Sequence, residues 1–280
     1  MKTINTSIEL EKAITLERKQ GKTIGFVPTM GALHKGHYAL LQKAREACDC
    51  LVCSIFVNPT QFNNSDDLKK YPRNIEKDIA FIDSLCDIIF LPSVEEMYPF
   101  PPTDTYDFGD LDKVMEGAFR PGHFNGVAMV VRRFFDMVKP DRAYFGKKDY
   151  QQAAIIKKLV GLKNYPIHIE LVDTERESDG LAFSSRNSLL SIEKRKEAPF
   201  IYQTLSQAET FINDKQPQEI KQWIINRFKS NPHFELEYVE VVDAENLHIL
   251  ERIDPSRKGV ICLAAWLDNV RLIDNIEFNN

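Results

Sequence analysis

An α/β fold on a parallel sheet, with a smaller α+β unit following it, is predicted by two features. Short apolar runs alternate with stretches of helical spacing from Ile8 to Val172, and this alternation breaks down beyond the Gly180-to-Asn187 loop. Strands alternating with helices imply parallel pairing through right-handed crossovers. A chain of 280 residues holds one large domain or a larger and a smaller one. The expected division falls between 1–174 and 175–280.

Taken in order, Ile8, Leu10, Ala13, Ile14 and Leu16 carry a helix over 8–19. Thr23-Ile24-Gly25-Phe26-Val27-Pro28 is a short strand stopped by its proline. Gly31 and Gly36 bracket a loop, and 38–47 is a helix with Leu40, Leu41 and Ala44 on one side. A strand over 51–57, a loop over 58–71, a helix over 74–85 and a strand over 88–91 follow. Beyond the Pro-rich stretch at 98–102 come a helix over 127–137, a strand over 142–145, a helix over 150–160 and a strand over 167–172. The C-terminal part reads as helices around 194–213 and 217–230, then two strand-like runs at 236–242 and 260–266.

Composition excludes several classes. With 43% hydrophobic and 28% charged residues the chain is an ordinary globular protein. No apolar run approaches the roughly 20 residues that cross a bilayer, so no membrane partner is expected. Residues 1–12 lack an apolar signal-peptide centre, which makes the cytoplasm the expected location. A net charge of −5 argues against a nucleic-acid partner. Cys48, Cys50 and Cys53 lie close together, but on a buried strand Cys50 and Cys53 face opposite ways. Buried reduced thiols are therefore expected, and no zinc site.

Four segments carry chemistry. Pro28-Thr29-Met30-Gly31-Ala32-Leu33-His34-Lys35-Gly36-His37 lies between a strand and a helix. Ligands bind at the carboxyl ends of such strands, where a helix start offers N–H groups and a positive dipole end to phosphate. The two histidines add donors for charge developing on phosphorus. The glycine spacing is neither that of a dinucleotide fingerprint nor that of a P-loop. Phe56-Val57-Asn58-Pro59-Thr60-Gln61-Phe62 ends another strand, and Gln61 offers a donor and an acceptor to a small hydroxy acid. Phe145-Gly146-Lys147-Lys148-Asp149-Tyr150-Gln151-Gln152 brings a cation for phosphate and a carboxylate for ribose hydroxyls. Asp179-Gly180-Leu181-Ala182-Phe183-Ser184-Ser185-Arg186-Asn187 offers hydroxyls and a guanidinium that grip polyphosphate oxygens. Singly, each segment is also readable as an ordinary capped helix start or surface loop.

Together the segments carry a resemblance. His34-Lys35-Gly36-His37 resembles the H-x-G-H signature of the Rossmann-like nucleotidyltransferases that include class I aminoacyl-tRNA synthetases. The ten positions 28–37, with the other segments, resemble the pantothenate synthetase family. Arg120-Pro121-Gly122-His123-Phe124-Asn125-Gly126-Val127 matches too, with His123 read as structural or lobe-positioning.

The resemblance implies an ATP-dependent ligase joining (R)-pantoate to β-alanine through a pantoyl adenylate. It implies ATP contacts at Met30, Gly31, His34, Gly36, His37, Gly146, Lys147, Lys148, Asp149, Glu175, Phe183, Ser184, Ser185 and Arg186. His37, His34, Lys148 and Arg186 are the implied catalytic groups. Gln61, Gln152, Asn58 and Tyr71 are the implied pantoate and β-alanine contacts. Mg²⁺ is expected on the nucleotide phosphates with no protein cage, the C-terminal unit as a lid, and the assembly as a homodimer. Asp173 and Glu175 depart from the family pattern, where proline and valine are usual. Two other readings stay open: a nucleotidylyltransferase acting on another small substrate, and a non-catalytic nucleotide-binding module.

Overall fold

The computed structural model describes residues 1–63, 65–254 and 256–279; Asn64 of the expected 58–71 loop lies outside them. The chain begins with β1 (Lys2–Ile4), α1 (Ser7–Lys19), β2 (Ile24–Thr29), α2 (Lys35–Ala47) and β3 (Cys50–Ile55). It continues through α3 (Ser65–Lys70), α4 (Ile75–Ile82), β4 (Ile88–Phe90), α5 (Val94–Met97), α6 (Glu116–Phe119) and α7 (His123–Val138). Then come β5 (Arg142–Gly146), α8 (Tyr150–Lys163) and β6 (His168–Val172). These six strands form one sheet in the order β1-β4-β3-β2-β5-β6, every pairing parallel.

Both faces of the sheet are covered, as all-parallel pairing requires. Phe26, Cys50 and Val52 pack with α1, α7 and α8, while Val27, Leu51 and Cys53 pack with α2 and Ile82 of α4. Cys50 and Cys53 thus face opposite ways, and all five cysteines are buried free thiols. The ring of Phe26 lies 5.5 Å from that of Phe134 on α7, at 57°.

The strand order reverses between β2 and β5. β2 pairs with β5 only at Gly25–Arg142 and Phe26–Ala143, so the carboxyl ends of the two strands separate. A crevice at such a reversal is where open α/β sheets bind ligands.

The second unit holds α9 (Ile192–Glu197), α10 (Phe200–Glu209), α11 (Pro217–Lys229) and an antiparallel sheet of β7 (Phe234–Asp243), β8 (Gly259–Leu267) and β9 (Val270–Phe278). Ile261, Leu263 and Ala265 of β8 face these helices, whereas Val260 and Cys262 face Met115 and Tyr150 of the first unit. Period-two alternation on the central strand therefore builds one core and one contact between units.

Several sequence expectations are corrected. β2 runs through Pro28 to Thr29, because the parallel partner β3 continues beside it. α7 starts at His123, so Phe124 and Gly126 belong to a helix. The expected helix over 194–213 is two helices, divided at Ala198-Pro199. β1 and β9 were not anticipated: three residues are too few to show a period, and Asp274 and Asn275 interrupt the apolar pattern of β9. Among the described residues no helix is long and apolar enough to cross a membrane.

Candidate active site

A cavity of about 240 Å³ opens where β2 and β5 separate. Its wall brings together Met30, His34, Gly36, His37, Asn58, Gln61, Tyr71, Gly146, Lys148, Asp149, Gln152, Glu175, Phe183, Ser184, Ser185 and Arg186. Five distant stretches of chain thus meet at one place.

The two histidines are fixed by each other's turn. α2 begins at Lys35 rather than at 38, which puts His37 in its first turn and makes His34 its N-cap. His34 Nδ1 accepts the N–H of Gly36 at 3.2 Å, and His37 Nδ1 accepts the N–H of His34 at 3.3 Å. With both Nδ1 atoms accepting, each neutral ring carries its proton on Nε2. Burial, then the charge of Lys148, pushes His34 down to about 4. Burial lowers His37 well below the ordinary value, helped by His34 and Lys148. The site therefore holds two neutral Nε2–H donors near neutral pH. The same capping takes up the Gly36 amide, so the imidazoles supply donors that the sequence suggested would come from the helix start.

Gln61 sits in a single 3-10 turn at 59–61 and is buried. Its Oε1 accepts from Asn58 Nδ2 at 3.1 Å and its Nε2 points at the Met30 sulfur at 2.8 Å. Asn58 Nδ2 also donates to the carbonyl of Gly126 at 3.1 Å, and its Oδ1 accepts from Tyr98 Oη at 2.9 Å. Asn58 therefore aims Gln61. Gly126 permits this closeness: a Cβ there would stand 2.2 Å from the carbonyl oxygen of Thr60.

His123 lies behind this turn. A carbonyl only accepts, so Nδ1–H donates to Gln61 O at 2.8 Å, while Nε2 receives Arg120 Nη1 at 3.1 Å. Burial foremost, then Arg120, pushes His123 down to about 4. Both partners of His123 lie in the first unit, so these contacts give it a supporting place behind Gln61 and none between the units.

On the opposite wall Gly146 ends β5, and Lys148 and Asp149 follow in a 3-10 turn. Gln151 is fixed on the carbonyls of Leu111 and Val114, at 2.7 and 2.8 Å, while the neighbouring Gln152 lines the cavity. Phe183 lies 6.2 Å from His34, ring to ring, at 19°. Its N–H donates to the carbonyl of Glu175 at 3.0 Å. Ser185 Oγ lies 3.3 Å from the Tyr71 hydroxyl, and Arg186 is bound to Asp67.

Gly31 and Lys147 are not on the wall. Gly31 has a positive φ of 79° and packs toward Asp78 and Ile55. The Lys147 ammonium is held by Glu277 and by Asp173, a wall residue, at 2.6 and 2.8 Å. Sequence reasoning missed the apolar wall formed by Val127, Val130, Val131 and Phe134 of α7. A helical stripe that lines a ligand cavity has the same period as one that lines a core. It also missed Asp78, a carboxylate 4% exposed that accepts from Ala32 and Leu33 N–H.

The fold defines a class: a Rossmann-like domain with a ligand cavity at its strand-order reversal, joined to a small C-terminal domain. The Pantoate-beta-alanine ligase family model matches residues 2–277, and the chain belongs to that family. It is 45% identical over 281 residues to the pantothenate synthetase of Porphyromonas gingivalis, covering 100% of both. It is 45% identical to that of Bacteroides thetaiotaomicron, covering 99% of both. The pantothenate synthetase structure from Thermus thermophilus superposes with a TM-score of 0.93 at 41% identity, covering both chains fully. The Francisella tularensis pantoate-beta-alanine ligase, complexed with beta-gamma ATP and beta-alanine, gives a TM-score of 0.83 at 34% identity, covering 99% of this chain and 97% of that one.

Proposed function

We propose that this chain joins (R)-pantoate to β-alanine using ATP, in two steps at the β2–β5 cavity. The pantoate carboxylate attacks the α-phosphorus, the bond from that phosphorus to the bridging oxygen breaks, and pyrophosphate leaves. The β-alanine amine, having lost its ammonium proton, then attacks the acyl carbon, and AMP departs as the carbon–oxygen bond breaks. No protein nucleophile is needed, so positioning and charge stabilisation carry the rate.

The observation that carries this reading is the mutual capping of His34 and His37, which ties up both Nδ1 atoms on the cavity wall that also carries Lys148 and so leaves Nε2–H as the donor of each neutral ring. A neutral donor follows charge onto phosphate oxygens without holding ground-state ATP as tightly as a cation would. His37 assists pyrophosphate departure as a hydrogen-bond donor, and His34 holds phosphate oxygens beside it. Lys148, Ser184, Ser185 and Arg186 neutralise the triphosphate, Gly36 and Gly146 allow its close approach, and Asp149 accepts from ribose. Met30, Glu175 and Phe183 border the nucleotide. Gln61 and Gln152 clamp pantoate, with Asn58 and Tyr71 completing its pocket. Gly31 acts by shaping the turn and Lys147 through its main chain, since neither side faces the cavity.

A magnesium ion fits this wall as a companion of ATP. Among the described residues no group of three or more His, Cys, Asp or Glu could hold a metal, and Asp173 at the cavity edge is already paired with Lys147. Such an ion keeps several waters, binds largely through phosphates, and would offset charge on the departing pyrophosphate. The division at 174/175, with the later part as a lid, is supported by β6 ending at Val172 and a separate core starting at Leu181. A cytoplasmic homodimer completes the reading, supported by the family resemblance.

AMP release that depends on both pantoate and β-alanine tests the ligation. A nucleotidylated product that persists when β-alanine is present would favour a nucleotidylyltransferase instead.

A further inference from the structure

The turn that delivers the histidines is held from outside by one acid. The chain leaves β2 at Thr29 and enters α2 at Lys35 through Gly31 and Ala32, both at positive φ, 79° and 50°. An alanine side chain disfavours the left-handed region because its Cβ crowds the following carbonyl oxygen, so something must hold it there. Asp78 does so from the first turn of α4. Its Oδ2 accepts the N–H of Ala32 at 2.9 Å and its Oδ1 that of Leu33 at 2.7 Å. A Cβ on Gly31 would stand 2.9 Å from the same Oδ2.

The two peptides gripped by Asp78 are followed directly by the one carrying the His34 N–H, which meets His37 Nδ1. That contact decides which nitrogen of His37 bears the proton. We propose that Asp78 is a positioning residue: by fixing the 31–33 turn it aims the His34 N–H at His37 Nδ1, so that His37 presents Nε2–H to the phosphates. Asp78 is not on the cavity wall and acts only through the turn. Ala32 adopts its strained conformation because the carboxylate takes two adjacent N–H groups there. The inference rests on the reading of His37 as a phosphate donor and adds how its tautomer is set.

Two substitutions test this from opposite sides of the contact. Asp78→Asn keeps the size but turns an NH₂ toward one of the two backbone N–H groups. Gly31→Ala pushes a methyl group against the carboxylate. In each folded variant, ¹⁵N NMR of the histidine side chains should show His37 passing from one Nε2–H tautomer to a mixture. Pantoate-dependent ATP–pyrophosphate exchange should fall by about ten- to a hundredfold in kcat, with KM for pantoate within about twofold. A purely structural acid would lower the melting temperature and leave the tautomer alone. An unmoved tautomer, or an unmoved kcat, in both variants overturns the proposal. If the wild-type protein itself shows no exchange, the adenylate reading fails, and the NMR result still decides whether Asp78 sets the tautomer.

Discussion

Arg186 holds both carboxylate oxygens of Asp67 through one guanidinium nitrogen, at 3.1 and 2.8 Å. The same guanidinium is the one assigned to the triphosphate, so nucleotide and Asp67 compete for it. The pair is partly exposed, with side-chain exposures of 28% and 38%, and such pairs contribute about 0.2–1 kcal/mol. Asp67→Asn is therefore expected to lower KM for ATP, by no more than about fivefold. Steady-state titration with ATP reads this directly, and a higher KM would show that Asp67 aids nucleotide binding.

In the proposed reaction His37→Ala removes the donor assigned to charge building on the leaving phosphate. Adenylate formation is expected to slow by about 10²-fold or more. Rapid quench of pantoate and ATP on the enzyme measures that step. A change in pantoate affinity with an unchanged rate would contradict the role.

Gln61→Ala should instead act on pantoate. Losing a hydrogen bond to a charged substrate is worth about 1.5–3 kcal/mol, which corresponds to a rise in KM for pantoate of roughly ten- to a hundredfold. KM for ATP should stay close to the wild-type value. An effect confined to ATP would move Gln61 to the other side of the cavity.

Acid should weaken the fold through its neutral histidines. His123 takes a proton at about 4 in the folded chain, against the ordinary histidine value of 6.5 once unfolded. Between those values the unfolded chain binds more protons, so stability falls as pH drops from 6.5 toward 4. The contribution of His123 is at most about 3 kcal/mol over that window. Chemical denaturation at several pH values should show a shallower fall in His123→Gln; an unchanged slope would mean that His123 is already charged when folded.

Arg271 joins the two units. On β9, it donates to Glu116 of α6 at 2.9 and 2.6 Å and also pairs with Glu237 of β7. Its charge lowers the Glu116 carboxyl despite the burial that opposes this. Arg271→Ala leaves the buried Glu116 with Arg120, at 3.5 Å, as its remaining cation and the half-buried Glu237 without its guanidinium, and is expected to cost up to about 3–5 kcal/mol. Urea denaturation measures it, and a loss below about 1 kcal/mol would mean that water replaces the guanidinium.

The parallel sheet was legible because short apolar runs and helical stripes alternate, and three of the four site segments because they end strands; the fourth, 179–187, stood out only because its serines and arginine share one loop. The turn at 31–37 was only partly legible. Its residues were evident, but the start of α2 at Lys35 depends on His34 and His37 capping each other, and histidine is not an ordinary cap. Asp78 was hidden because an acid in a first helical turn usually serves the helix dipole. The α7 wall was hidden inside a core-like stripe, and nothing local to Lys147 showed that Glu277, 130 positions away, draws its ammonium aside.

The adenylate is the centre of the account, and isotope exchange between ATP and pyrophosphate reads it without β-alanine. With magnesium and ATP present, exchange is expected only when pantoate is added, and it should nearly vanish in His37→Ala. Exchange without pantoate, or none at saturating ATP and pantoate, would contradict it.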